Sequence, residues 1–289
     1  MLELSRARTP GGDAWALGYG GDTLNTAIHL ARAGHDVAYL TALGADPFSA
    51  QLRRDWTAEG LDTALVLTHP TRQPGLYAIV TDADGERSFT YWRETSAVRA
   101  MFALPAMVEA EAQAAAADLL LFSLITLAVL PPEGRERLLA LARRVREAGG
   151  RVAFDGNYRP RLWASHADAR DARDAALAVA DIGLPTLEDE TALSGETEAA
   201  AVAAHWSGCG CGETVVKLGA QGCRLPDGTV VAPEQVLAPV DTSGAGDAFN
   251  AGYLDARLRG AEIADAARAG HARAGWTIMR PGAIPPRDG

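Results

Sequence analysis

Positive charge is scarce in this chain. It holds 27 Lys and Arg against 37 Asp and Glu, a formal net charge of −10, which argues against a protein held on nucleic acid or an anionic membrane by a broad basic surface. A negatively charged small molecule bound here therefore needs local arginines. Long apolar runs are missing too, since no segment approaches the ~20 apolar residues of a membrane span. The opening residues lack the basic start, apolar run and small-residue cleavage site of a secretory leader. The chain reads as soluble and cytoplasmic. Cysteine is rare, and three is an odd number, which suits a reducing compartment better than a disulfide framework. Cys209 and Cys211 lie in Gly208-Cys209-Gly210-Cys211-Gly212, close to His205. Structural zinc usually takes paired CxxC-type hooks and four ligands, and the sequence offers no second cluster. This stretch reads as a loop between a helix and a strand, and no metal ligand is assigned.

What is present suits one α/β domain. With 289 residues and 48% hydrophobic content, the chain can bury a substantial core. No internal repeat, low-complexity tract or flexible linker divides it, so residues 1–289 are expected to form a single domain. Apolar and small residues recur at helical spacing over 23–32, with Asp22 at the start and Gly34 as a stop. The pattern then predicts a strand over 36–43, a helix over 47–59 and a strand over 65–68. Residues 75–93 change character: an alternating run, a turn at Asp82-Ala83-Asp84-Gly85, and a second run from Arg87 to Arg93 predict an antiparallel hairpin. A hairpin interrupting a βα chain often projects as a lid. Strands at 118–124, 152–155, 182–184 and 214–218 then alternate with helices at 132–148, 167–180 and 187–193. Runs such as Leu119-Leu120-Leu121-Phe122 are apolar throughout, as strands buried on both faces should be.

The strongest chemical signal is Asp241-Thr242-Ser243-Gly244-Ala245-Gly246-Asp247-Ala248-Phe249, running directly into a helical pattern. Gly244 and Gly246 let the backbone turn tightly, and Gly244, Ala245 and Gly246 bring successive N–H groups to one spot at the positive end of the helix dipole. That arrangement is an anion hole, suited to the charge on a phosphoryl group in transfer. Asp247, at the helix opening, is placed to take a proton from an attacking hydroxyl. The alternative is an ordinary acidic helix cap, which would win for a bare GxG; nine residues are far more specific.

This string resembles the second signature of the ribokinase-like (PfkB) carbohydrate kinases. Gly20-Gly21-Asp22-Thr23-Leu24-Asn25-Thr26-Ala27, with Leu30, Ala31 and Gly34, resembles the first, and the likeness covers nearly the whole chain. It implies a three-layer α/β/α sandwich with a mostly parallel sheet and a small β lid, with lid strands within about 8–20 and 72–95. It also implies that Gly21 and Asn25 approach a sugar. Pro74-Gly75-Leu76-Tyr77, Gly85-Glu86-Arg87-Ser88-Phe89-Thr90-Tyr91-Trp92-Arg93 and Phe154-Asp155-Gly156-Asn157-Tyr158-Arg159-Pro160-Arg161-Leu162-Trp163 resemble the 2-keto-3-deoxygluconate kinase branch. By that resemblance Tyr77, Tyr91, Arg93 and Arg159 hold a sugar acid. The chemistry agrees, because a planar guanidinium pairs well with a carboxylate and tyrosines offer an apolar face and a hydroxyl. Tyr91 and Arg93, two apart, share a strand face. Taken singly, Arg93 reads equally as a solvated charge, the tyrosines as packing, and Arg159 as half of a salt bridge.

On the nucleotide side, Val215-Val216-Lys217-Leu218-Gly219-Ala220-Gln221-Gly222 resembles the segment beside the nucleotide, giving Lys217, Gly219 and Gly222. Where the family has Asn-x-x-Glu, this chain reads Thr186-Leu187-Glu188-Asp189, leaving Asp189 as the candidate. Gly270-His271-Ala272-Arg273-Ala274 resembles the adenine-side helix and gives His271. An alanine there, where the branch commonly has asparagine, leaves nucleotide preference open. Gly282-Ala283-Ile284-Pro285-Pro286 resembles the branch's tail. The family also begins with a buried apolar strand. Here Met1-Leu2-Glu3-Leu4-Ser5 reads as the end of that strand, so most of it is expected to be missing.

The resemblance thus implies ATP-dependent phosphorylation of 2-keto-3-deoxygluconate with Mg²⁺, by a homodimer or larger homo-oligomer. Monovalent-cation dependence and preference for the galactonate epimer stay open. Two alternatives also stand: a fructokinase or ribokinase acting on a neutral sugar, and a non-catalytic sugar-acid-binding relative.

Overall fold

The computed structural model describes residues 1–9, 12–81 and 87–287; the turn expected at 82–85 lies outside them. Four strands form the parallel centre, side by side as Leu119–Ser123, Arg151–Asp155, Ile182–Gly183 and Glu213–Thr214. Alternation within the strand Arg151–Asp155 sends its side chains to two different cores. Val152 and Phe154 join Phe122 against the helices Pro132–Glu147, His166–Leu177 and Ala199–Gly208. Ala153 faces the other way, into a cluster with Phe249, Tyr253 and Leu254 of the helix Ala245–Leu258 and Ala266 and Ala267 of Ile263–Ile278. Helices thus cover both faces of the sheet, an α/β/α sandwich.

Local signals set the covering helices. In Pro132–Glu147 a proline opens the first turn, and Leu138, Leu141, Ala142 and Val145 are buried at helical spacing. Arg144 and Arg146 lie in its last turn, where positive charge suits the dipole. No helix among the described residues is long and apolar enough to cross a membrane.

The sheet is less continuous than expected. The strand predicted over 36–43 is two short pieces, Val37–Ala38 paired with Leu61–Asp62 and Thr41–Leu43 paired with Val66–Thr68, both parallel. The strand predicted over 214–218 also breaks, and Val216–Lys217 pairs antiparallel with Cys223–Arg224.

The lid departs further from expectation. It is a four-stranded sheet ordered Gly12–Tyr19, Leu2–Thr9, Leu76–Thr81, Arg87–Trp92. Met1 to Ser5 were expected to end a core strand, with a lid strand only from about residue 8, but the strand Leu2–Thr9 runs through both stretches. It pairs antiparallel with Gly12–Tyr19 from Leu2↔Tyr19 to Thr9↔Gly12, and parallel with Leu76–Thr81 from Leu2↔Leu76. The reason is register. Eight consecutive residues find ladder partners in the lid, which satisfies their backbone groups there.

Candidate active site

The helix Ala245–Leu258 starts at Gly244, whose φ of +69° is left-handed. A side chain at Gly244 would also meet Ala283 Cβ at 2.6 Å, so the glycine lets the chain's tail close over the helix start. The N–H groups of Gly246 and Asp247, in the first turn, have no helical carbonyl to bond; that of Ala245 turns back to Thr242 O at 3.3 Å.

Asp247 is 8% exposed. Its Oδ2 accepts a 2.8 Å hydrogen bond from Asn25 Nδ2, and its carbonyl accepts one from Thr26 Oγ1 at 3.1 Å. The first-signature helix Asp22–Arg32 is thereby fastened to the second-signature helix. Burial, then the negative charge of Asp22, push the Asp247 carboxyl up to about 7; Asp155 adds to the rise and the Asn25 bond opposes it. A carboxylate with that value is poised as a base near neutral pH.

Three residues absent from the sequence-derived set, Asp155, Asn250 and Asp22, complete the floor. Lys217 Nζ, buried, donates to Asp155 Oδ1 at 3.1 Å and Asn250 Oδ1 at 2.9 Å. Asp22 accepts from Ser123 Oγ, and burial raises its carboxyl pKa. Asn25 Oδ1 and Asn250 Nδ2 are buried polar atoms without a protein hydrogen-bond partner, so each has capacity for a ligand. Asp155 carried a usable signal, since it ends a buried parallel strand, where ligands gather. Asp22 was read only as a helix start.

From the lid, Glu3, Tyr77 and Tyr91 share one face by register. The Tyr77 and Tyr91 rings lie 5.9 Å apart, and the Arg93 guanidinium sits 4.0 Å above the Tyr91 ring. The Tyr77 hydroxyl donates to Glu3 Oε2, and burial raises its pKa well above the usual phenol value. A side chain at Gly20 would come within 2.5 Å of that hydroxyl, so the glycine pair ending at Gly21 lies directly against the lid. Arg159 stands apart from this group: its Nη1 is 3.1 Å from Asp189 Oδ1, joining a sugar-side candidate to a nucleotide-side one. The salt-bridge alternative for Arg159 is what the geometry displays.

Beyond the helix start opens a cavity of about 790 Å³, lined by Lys217, Gly219, Gly222, Gly246, Phe249 and His271 among others. The nucleotide-side residues taken from sequence therefore meet here, apart from Asp189; the carboxylates that line the cavity are Glu188 and Glu234. His271 Nε2 is 2.9 Å from Val231 O. A carbonyl only accepts, so that nitrogen carries the proton, and burial lowers the ring's pKa, favouring the neutral form. The carboxylates of Asp155, Glu188 and Asp189 are hard oxygen donors of the kind Mg²⁺ takes alongside phosphate and water.

Residues 5–288 match the family model described as pfkB family carbohydrate kinase. The chain is 43% identical over 298 residues to 2-dehydro-3-deoxygluconokinase of Escherichia coli (strain K12), covering 100% of this chain and 95% of the relative. Among solved structures it resembles the PfkB protein from Polaromonas sp. JS666, with a TM-score of 0.85 and 29% identity over 99% of this chain and 94% of the other. It also resembles aminoimidazole riboside kinase from Salmonella enterica complexed with aminoimidazole riboside and an ATP analog. That likeness has a TM-score of 0.79 and 25% identity over 98% and 93% of the two chains.

Proposed function

This chain belongs to the pfkB family of carbohydrate kinases, and from that premise we propose that it transfers the γ-phosphate of ATP to the 6-hydroxyl of 2-keto-3-deoxygluconate. The product is 2-keto-3-deoxy-6-phosphogluconate. The observation that supports this most is the position of Asp247. It is a buried carboxylate near pKa 7, at a helix start that borders the large cavity, and bonded to Asn25 of the first-signature helix.

The chemistry follows from those positions. Asp247 accepts the proton of the attacking hydroxyl as its oxygen bonds to the γ-phosphorus and the bond to the ADP oxygen breaks. The first-turn amides of Gly246 and Asp247 face the charge that develops on the phosphoryl oxygens. Lys217, held by Asp155 and Asn250 within the cavity lining, adds a fixed positive charge. Asp155, Glu188 and Asp189 are the carboxylates that would hold a Mg²⁺ arriving with the nucleotide, directly or through water, and such an ion would neutralise phosphate charge.

The acid end of the substrate suits the lid. Arg93 offers paired, charge-assisted donors, and Tyr77 and Tyr91 form an aromatic wall with hydroxyls. Arg159 joins them on exchanging Asp189 for the substrate. The other lid face exposes Trp15, Leu17 and Trp92, and a second copy of the chain would cover it, giving a homodimer.

A coupled assay of ADP release with ATP, Mg²⁺ and a panel of 2-keto-3-deoxygluconate, its galactonate epimer, fructose, ribose and adenosine tests the reading. Turnover of a keto-deoxy acid in preference to the neutral sugars is expected. Preferential turnover of fructose or ribose would overturn the substrate assignment while leaving the kinase chemistry intact.

A further inference from the structure

Away from the catalytic floor, the helix His166–Leu177 brings Asp174 against His205 of the helix Ala199–Gly208 and against Cys209, which caps that helix. His205 Nε2 is 2.9 Å from Asp174 Oδ1 and 3.6 Å from Cys209 Sγ, and the three ligand atoms all lie within 4.8 Å of one another. We propose that Asp174, His205 and Cys209 form a binding site for a divalent transition cation of borderline softness, zinc above all, completed by water.

Three observations carry this. The first is spacing: a tetrahedral zinc with nitrogen at ~2.0 Å and sulfur at ~2.3 Å sets its ligand atoms roughly 3.3–3.6 Å apart. His205 and Cys209, one helical turn apart, already stand at 3.6 Å, and a ligand oxygen of Asp174 lies within 4.8 Å of both.

The second is a conflict at one nitrogen. Arg173 Nη2 lies 2.8 Å from His205 Nε2, and a guanidinium can only donate, so that nitrogen must offer a lone pair. Yet Asp174 Oδ1, an acceptor, lies 2.9 Å from the same nitrogen, where only a proton would suit it. The imidazole cannot satisfy both neighbours in either protonation state. A cation held between Nε2, Oδ1 and Sγ satisfies the three electron-pair donors at once. It leaves Arg173 to Glu190 and the Asp174 carboxylate, at 2.6 and 2.9 Å.

The third is charge. Arg173, 3% exposed, faces two carboxylates, Asp174 and Glu190, so with the His205 imidazole neutral the cluster carries one negative charge in excess. Binding releases the thiol proton of Cys209 to solvent, and the thiolate adds a second negative charge to balance the metal. The ligand set of one sulfur, one nitrogen and one oxygen fits zinc or cobalt better than magnesium or calcium, which take oxygen alone. The site is separate from the phosphate chemistry proposed above, and its test does not depend on that reading.

The full-length protein, stripped with chelator, is titrated with Co²⁺ alone and followed by absorption. One equivalent is expected to bind with the intense visible bands of a tetrahedral centre and a sulfur-to-cobalt charge-transfer band, and Zn²⁺ should displace it. Cys211 and Cys223 are buried and Cys209 is partly exposed, so C209S should remove the charge-transfer band. H205A, which removes a ligand, should weaken binding by at least the roughly 10–100-fold that loss of an outer-shell partner costs. Both variants should keep the far-ultraviolet circular dichroism and the kinase activity of the parent. Oxygen-only binding, with weak octahedral bands and no charge transfer, would overturn the proposal, as would a charge-transfer band that survives C209S.

Discussion

The floor of the candidate site and its lid are built from different physics. On the floor, Asp247, Asn25, Lys217, Asp155 and Asn250 are all buried and tied to one another across four separate elements. On the lid, Tyr91 and Trp92 are exposed, and the Arg93 guanidinium rests on the Tyr91 ring. A preorganised floor holds charges that water would otherwise screen, which transfer chemistry needs. A lid whose functional side chains are half in solvent can open for substrate and gain its contacts on closing. The contrast predicts that floor mutations act on turnover and lid mutations on affinity.

The largest effect should come from Asp247→Asn, which is expected to lower kcat by about 10²–10⁴-fold with KM little changed. For the parent, kcat/KM should rise about tenfold per pH unit below 7 and level off above it, as Asp247 ionises. The sign for stability is opposite. Because the folded carboxyl titrates near 7 rather than 3.8, its ionisation removes stability as pH rises through that window. Asp247→Asn should therefore melt at a higher temperature than the parent at pH 8. A lower Tm there would mean that the Asn25 bond outweighs the burial of charge.

Core packing under the floor comes next. Trp206 is fully buried and stacks on Phe154 at 5.6 Å, so Trp206→Ala should cost about 3–5 kcal/mol in urea unfolding. On the lid, Arg93→Ala should raise KM for the keto-deoxy acid roughly 10–100-fold, the worth of a charge-assisted pair at about 1.5–3 kcal/mol, with kcat nearly unchanged. A fall in kcat instead would break the division between the regions. Trp92→Ala, 57% exposed, should change the monomer's stability by no more than about 0.5 kcal/mol. A larger loss that depends on protein concentration would reveal the expected homodimer.

Much of the floor was legible in sequence because its residues sit in contiguous strings. Gly244 to Asp247 occupy one turn, and the string specifies both the left-handed glycine and the helix that follows. Asp155 and Asn250 were missed because their importance comes from meeting Lys217, 62 and 33 positions away. The lid was legible as a hairpin over 75–93 and, through the family resemblance, as a strand within 8–20; what was not legible is that the chain from Leu2 belongs to it as well. Leu2–Thr9 has the apolar alternation of any strand, and only its partners Gly12–Tyr19 and Leu76–Thr81 assign it to the lid.

The same division runs through the whole protein. Local pattern alone determined the alternation of strands and helices, the family and the choice of Asp247 as the candidate base, because each depends on neighbours in the chain. Only the tertiary structure decided which carboxylates crowd Asp247 and raise its pKa, that Arg159 pairs with Asp189, and that Asp174 meets His205 and Cys209. Those are distances between segments far apart in sequence, and burial and Coulomb energy depend on distance through space.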